Sequence, residues 1–164
     1  MMKKYALLLL AFAVSVSVAG CTVSQASDRD QYGSYLSELN SGNADFISAS
    51  TLYSSAVNAY KGEMYNDAAN GMSTSCDSYN NAMIHYDQMA GYANGPDQKA
   101  YADALRSYAQ SCMYAASAYT EAYQAYGSGD RYKGDARMGS ADGFVKQANE
   151  FHDKAVELQP MAII

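Results

Sequence analysis

The sequence predicts an all-α protein in which two long helical hairpins form an antiparallel four-helix bundle. Alanine, serine, tyrosine, methionine and glutamine are abundant, whereas valine and isoleucine are scarce and proline occurs only as Pro96 and Pro160. This composition favours helix over strand. Apolar side chains also recur every three, four or seven positions along two long segments, which is typical of amphipathic helices that pack on a partner helix.

Glycine-rich turns divide the domain, residues 29–159, into four helices. Asn94-Gly95-Pro96-Asp97 is the clearest turn signal, and Gly127-Ser128-Gly129-Asp130 ends the third helix and caps the fourth. The first helix has a weak point at Ser41-Gly42-Asn43, which is a candidate break. We expect helices at about 28–61, 63–92, 96–126 and 130–158.

The apolar stripes of the second and third helices define the candidate core. In the second helix the stripe consists of Tyr65, Met72, Cys76, Tyr79, Met83, Tyr86 and Ala90. In the third helix it consists of Tyr101, Leu105, Tyr108, Cys112, Ala115, Tyr119, Ala122 and Tyr126.

The chain contains an internal repeat. Segment 53–60 matches segment 119–126, with tyrosine at both ends and alanine at two shared positions. A glycine turn follows each segment, and Tyr65 and Tyr132 then match with the spacing longer by one position. Two copies of one helical hairpin, roughly residues 29–92 and 96–159, are the simplest interpretation.

Each repeated hairpin is similar to a stretched tetratricopeptide hairpin. The similarity lies in Ala125-Tyr126, Gly129-Asp130, Tyr132 and the closing segment 154–160. It would imply an array of α-α hairpins. Because both helices are too long for that repeat, we favour the four-helix bundle and keep the array as the alternative.

Residues 1–21 resemble the signal peptide and lipobox of prokaryotic lipoproteins. Lys3 and Lys4 precede an apolar run that ends in Val18-Ala19-Gly20-Cys21, and serines interrupt the run, which argues against a permanent membrane span. The resemblance implies that residues 1–20 are removed and that Cys21 carries the lipid, with residues 21–28 as the lipidated cysteine and its tether. It also implies an extracytoplasmic protein anchored to a prokaryotic membrane.

Length and charge narrow the choice of partners. Removing residues 1–20, which contain two lysines and no acids, leaves residues 21–164 and changes the net charge from −6 to −8. A chain of this size is expected to form one domain. A chain this acidic is not expected to bind nucleic acid or anionic lipid headgroups through its overall field.

Cys76 and Cys112 are predicted to form a disulfide. Both lie equally far along the chain from Asn94, at the centre of the turn between the second and third helices. An antiparallel hairpin therefore holds both cysteines at the same height, and each lies on the apolar stripe of its helix. An exported chain meets an oxidising compartment, in which such pairs are oxidised. The alternative is two buried free thiols.

His85 and His152 are separated by the same interval as Tyr65 and Tyr132, so they occupy equivalent places in the repeat, and Met83 and Met89 lie near the first. Histidine and methionine in an exported bundle suit copper or an axially ligated haem. However, the sequence lacks a CxxCH motif and the Glu-x-x-His spacing of di-iron bundles. A metal- or haem-binding bundle is therefore kept as a second hypothesis, and we expect no cofactor.

Enzyme motifs are absent from the sequence, which has no Ser-His-Asp order, no Gly-rich phosphate loop and no HExxH. An enzyme of unknown class stays as a minor alternative. Tyr92, Tyr114 and Tyr123 fall off the apolar stripes and are candidates for an exposed binding patch. We therefore expect a non-catalytic binding or scaffold module whose partner is another envelope protein.

Overall fold

A computed structural model describes residues 26–162 of the chain, and this part consists of four long helices joined by short turns. It contains no strand within the described range, so the predicted all-α class is confirmed. The sequence placed the helix ends within a few residues. The helices are α1 (Ala26–Lys61), α2 (Tyr65–Gly91), α3 (Pro96–Gly127) and α4 (Arg131–Ala162).

Helix α1 runs without interruption through Ser41-Gly42-Asn43, so the candidate break is not used. The glycine instead makes room for the buried ring of Tyr86, since a Cβ atom at Gly42 would lie 2.6 Å from Tyr86 Cε1. The Tyr86 hydroxyl donates to Asn43 Oδ1 at 2.8 Å. Helix α1 also begins at Ala26, so it includes the last part of the predicted tether.

The two hairpin turns share backbone hydrogen bonds at equivalent positions. After α1, Met64 N–H donates to the Ala59 carbonyl at 3.0 Å, and after α3, Asp130 N–H donates to the Ala125 carbonyl at 2.9 Å. Each bond spans five positions, as in a Schellman helix end. The left-handed residue that such an end requires is Glu63 in the first turn and Gly129 in the second, with φ of 59° and 84°.

The helices pack in chain order. Helix α1 packs on α2, α2 on α3 and α3 on α4, and the short turns make each pair antiparallel. Helix α1 also approaches α3, where Tyr35 Oη donates to the Gln98 carbonyl at 3.2 Å. Among the described residues, no Cα atom of α1 lies within 8 Å of one of α4. Helix α3 is therefore the central element, with neighbours on three sides.

Small residues allow the outer helices to approach α2 and α3 closely. On α4 the buried positions fall every seventh residue, at Gly134, Ala141, Ala148, Ala155 and Ala162. On α1, Gly42, Ala49 and Ala56 follow the same spacing. This heptad repeat is the spacing of a coiled-coil interface. The larger core side chains come mostly from α2 and α3, and many of them are tyrosines.

Candidate functional site: the turn end of the helical domain

Cys21, the predicted lipidation site, and the signal-like residues 1–20 lie outside the described residues. Within residues 26–162, none of the helices combines the length and the apolar character that crossing a membrane requires.

Cys76 and Cys112 are free thiols in this structure, so the expected disulfide is not formed. Their heights along the hairpin agree with the sequence interpretation, because Cys76 Sγ donates to the carbonyl of Met113, the residue after Cys112, at 3.5 Å. The two cysteine side chains point in different directions. Cys76 lies at the α2–α3 interface, whereas Cys112 lines a central cavity of about 10 Å³ together with Tyr53 and Tyr79. Burial raises the pKa of both thiols.

His85 lies at the α1–α2 interface between two carboxylates of α1. His85 Nδ1 is 2.6 Å from Glu38 Oε2, and Nε2 is 3.5 Å from Asp45 Oδ2. Glu38 and Asp45 are two helical turns apart and so project from the same face of α1. The three side chains join the middle of α1 to the last two turns of α2.

His152 lies in the other hairpin and does not meet His85. Its ring contacts the Tyr108 ring edge-on at 5.4 Å between centroids, and Nδ1 is 3.3 Å from Asp153 Oδ1. Met89 is buried in the core, and Met83 packs against it. Among residues 26–162, no group of three or more His, Cys, Asp or Glu side chains is arranged to hold a metal ion.

The three predicted patch tyrosines do not form one surface. Tyr123 is only 1% exposed and stacks on Tyr60 with ring centroids 4.6 Å apart. Tyr92 is exposed just after α2, and Tyr114 is exposed near the middle of α3, where it contacts Phe144. At about 1.5 Å per residue, Tyr114 lies roughly 25 Å along α3 from its first turn, beside which Tyr92 lies. The patch proposed from sequence is therefore replaced by another surface.

That surface is the turn end, defined as residues 60–67 and 126–133. Both repeat turns lie there side by side, since a Cβ atom at Gly127 would lie 3.3 Å from Tyr65 Cβ. Its exposed apolar side chains include Met64, which is 52% exposed, and Tyr132, which is 88% exposed. Tyr65 is half-buried. The turn end thus presents aromatic and thioether groups to solvent.

Three tyrosine rings pack against one another at the turn end. Tyr60, Tyr65 and Tyr126 lie 5.7–6.0 Å apart between ring centroids. Tyr126 Oη donates to Asp135 Oδ1 at 2.7 Å, and its ring packs over Gly134, where a Cβ atom would lie 2.5 Å from the ring. Desolvation, and then the bond to Asp135, raise the pKa of Tyr126, so the hydroxyl keeps its proton and acts as the donor.

An open cleft of about 350 Å³ lies beside these rings. It is lined by Glu63, Met64, Tyr65, Asn66, Asp67 and Gly127. The lining combines an aromatic ring, a flexible thioether, an amide and two carboxylates. Tyrosine and methionine are enriched in protein interfaces, and methionine adapts to irregular contact surfaces. Such a lining suits contact with another macromolecule.

The sequence interpretation missed Met64, Tyr65 and Tyr132 as surface residues. The signal was present, because the internal repeat aligns Tyr65 with Tyr132 directly after two equivalent turns. Equivalent turns of consecutive hairpins lie at the same end of an antiparallel domain, so the repeat alone brings both tyrosines to one surface. No family model, curated protein or solved structure matches this chain.

Proposed function

We propose that this protein is a lipid-anchored, extracytoplasmic binding or scaffold module that presents its turn end to another protein of the cell envelope and catalyses no reaction. The anchor is Cys21, at the end of the signal-like segment. The observation that carries the binding role is that both repeat turns, with their exposed methionine and tyrosine side chains, share one end of the domain.

The position of the turn end relative to the anchor supports this proposal. Cys21 precedes the first residue of α1, whereas the turn end follows the last. Helix α1 has 36 residues, so at 1.5 Å per residue it spans about 54 Å. A lipid at Cys21 would hold the opposite end of the helices at the membrane and direct the turn end away from it.

We also propose that Cys76 and Cys112 become oxidised to a disulfide once the chain is exported. The two residues are level on adjacent helices, and exported proteins retain disulfides. The bond would join the α1–α2 hairpin to the α3–α4 hairpin covalently. It requires the Cys112 side chain to turn from the central cavity towards α2.

The anchor is tested by comparing the native protein with Cys21→Ser in its natural host. The native protein is expected in the membrane fraction, carrying metabolically incorporated fatty acid, and Cys21→Ser is expected to lose the label and leave that fraction. Equal labelling and equal membrane association of both proteins would refute the anchor at Cys21.

The binding surface is tested by photo-crosslinking in intact cells with a photoreactive amino acid at a single position. Positions 64 and 132 are expected to capture the same envelope protein. Position 84 is the matched control, because Ile84 is also an exposed apolar residue but lies in the second half of α2, away from the turn end. Equal capture of that protein from position 84, or no capture from positions 64 and 132, would refute the turn end as the interface.

A further inference from the structure

A continuous series of tyrosine rings leads from the centre of the domain to the turn end. We call it the tyrosine column, and its neighbouring centroids lie 4.6–6.0 Å apart. The inner member lies beside Cys112 at the central cavity, and the outer member is one of the three rings that pack together at the turn end. From the inside outwards the column consists of Tyr53, Tyr119, Tyr123, Tyr60 and Tyr126.

Two members of the column donate hydrogen bonds to carboxylates. Tyr119 Oη donates to Asp142 Oδ1 at 2.8 Å, and Tyr126 Oη donates to Asp135 Oδ1 at 2.7 Å. Tyr119 is buried, whereas Tyr126 is partly exposed at the turn end. A phenol that loses an electron must also lose its proton, and a hydrogen-bonded carboxylate is a base placed to accept it.

The rings between these two phenols are stacked. The ring centroids of Tyr119 and Tyr123 are 6.0 Å apart, with an interplanar angle of 26°. Those of Tyr123 and Tyr60 are 4.6 Å apart, with an interplanar angle of 17°. Phenylalanine would fill almost the same volume without a hydroxyl group to satisfy in the core. None of the four phenylalanines of the chain belongs to the column.

We propose that the tyrosine column relays single oxidising equivalents from the turn end to the Tyr119–Asp142 pair, so that the protein quenches one-electron oxidants. The oxidant class is an oxygen-centred radical or an oxidised metal complex in solution. This activity does not depend on the lipid anchor or on a protein partner.

The relay balances electrons and protons. The oxidant gains one electron from Tyr126, whose hydroxyl proton moves to the Asp135 carboxylate to leave a neutral tyrosyl radical. An electron then tunnels outwards from Tyr119 to the Tyr126 radical through the intervening rings of Tyr123 and Tyr60, which are not themselves oxidised and keep their protons. Tyr126 recovers its proton from Asp135, and Tyr119 gives its own proton to Asp142. The net change is one reduced oxidant, one Tyr119 radical and one protonated Asp142.

The test uses the purified folded domain and photogenerated ruthenium(III) tris-bipyridine as the one-electron oxidant, with the tyrosyl radical followed by freeze-quench electron paramagnetic resonance. The native protein is expected to give a persistent radical component from a tyrosine shielded from solvent. Tyr123→Leu, which removes the aromatic ring between Tyr119 and Tyr60, and Asp142→Asn, which removes the proton acceptor of Tyr119, are each expected to abolish that component. Tyr101→Phe, a buried tyrosine outside the column, is the control and is expected to retain it.

The absence of a persistent component in the native protein would overturn the relay. So would its full retention in either folded variant. Circular dichroism establishes that each variant is folded, and Asp142→Asn changes an exposed side chain. The test therefore still decides if Tyr123→Leu fails to fold.

Discussion

In the α1–α2 hairpin the left-handed turn position is held by Glu63, whereas in the α3–α4 hairpin the equivalent position is held by Gly129. The backbone hydrogen bonds that end α1 and α3 otherwise include equivalent bonds from Met64 and Asp130. A left-handed conformation costs a residue with a Cβ atom roughly 1–2 kcal/mol and costs glycine little. The repeat has therefore kept its backbone and diverged in its side chains, and the first hairpin carries strain that the second avoids.

The same contrast holds where a tyrosine ring packs over a helical glycine. Gly42 of α1 faces the buried Tyr86, and Gly134 of α4 faces the partly exposed Tyr126. The first ring is enclosed between helices, and the second has solvent into which it can move. Both hairpins thus pack a tyrosine ring on a helical glycine, but the ring in the first hairpin has less space to move. Substitutions at the two glycines can measure this difference.

The largest effect is expected at high pH, and it involves both hairpins. Burial raises the pKa of Tyr101 from its ordinary value of 10 to about 12, and burial likewise raises those of Tyr79, Tyr86 and Tyr108. The unfolded chain releases these protons first, so the contribution of these four tyrosines to the free energy of unfolding is constant well below pH 10 and falls as the pH rises above it. Tyr101 alone accounts for roughly 3 kcal/mol. A pH titration followed by circular dichroism should show cooperative unfolding above pH 10, and tyrosinate absorbance rising well before the loss of helix would contradict it.

The next largest effect concerns the covalent link between the hairpins. If Cys76 and Cys112 are oxidised in the exported protein, reduction should lower the free energy of unfolding by about 3–4 kcal/mol, because the bond closes a loop of tens of residues. Urea denaturation with and without reductant measures the difference. The Cys76→Ala, Cys112→Ala double variant is the control and should be insensitive to reductant. A native exported protein that is equally stable in both conditions would contradict the disulfide.

Adding a methyl group beneath each tyrosine ring compares the confinement of the two sites. Gly42→Ala should destabilise the domain by about 1–3 kcal/mol because the enclosed Tyr86 ring cannot move away from the new Cβ atom. Gly134→Ala should destabilise the domain less, since Tyr126 is partly exposed and can move at the expense of its hydrogen bond to Asp135, and alanine favours helix. Gly139→Ala, with no atom within 4 Å of the new Cβ, is the control and should stabilise by about 0.5–1 kcal/mol. Thermal unfolding of the three variants tests this order, which equal losses at positions 42 and 134 would refute.

Substitutions at the left-handed turn position should relieve the backbone strain of the first turn and introduce such strain in the second. Glu63→Gly is expected to stabilise the domain by about 1 kcal/mol, and Gly129→Ala to destabilise it by about 1–2 kcal/mol. Urea denaturation of both variants gives the values. Destabilisation by Glu63→Gly would show that the Glu63 side chain contributes more to stability than its backbone conformation costs.

The smallest effect is expected at the two histidines. His85→Gln should cost up to about 1 kcal/mol because His85 lies between Glu38 and Asp45 at a partly exposed helix interface. His152→Gln should cost less, because the neighbouring Asp153 carboxylate is largely exposed. Chemical denaturation at low and high salt measures both. A larger loss for His152→Gln, independent of salt, would reverse this ranking.

Helix positions were predictable because glycine turns and heptad spacing are local signals. The break expected at Gly42 was wrong because sequence gives the flexibility of glycine but not the ring that packs on it. The prediction that Tyr123 belongs to an exposed patch was wrong for a related reason. Helix α3 packs on three neighbours, so its buried face is wider than the single stripe that one partner requires.

The candidate site was less predictable than the fold. Cys76 and Cys112 are equally distant from Asn94 along the chain, and this spacing agrees with their similar level along the axes of α2 and α3. The spacing could not give the orientation of the Cys112 side chain, which lines the central cavity. The turn end combines residues from distant parts of the chain, such as Tyr65 and Tyr132. The internal repeat places these two tyrosines at one end of the domain, but it does not give how far each side chain is exposed.

The most direct test of the proposed anchored module is the intact mass of the protein purified from its native membrane, measured with and without reductant. We expect the mass of residues 21–164 plus acyl chains, with a gain of two hydrogen atoms on reduction. A full-length chain without acyl groups, or a chain cut elsewhere than before Cys21, would contradict the anchor and with it the orientation proposed for the turn end.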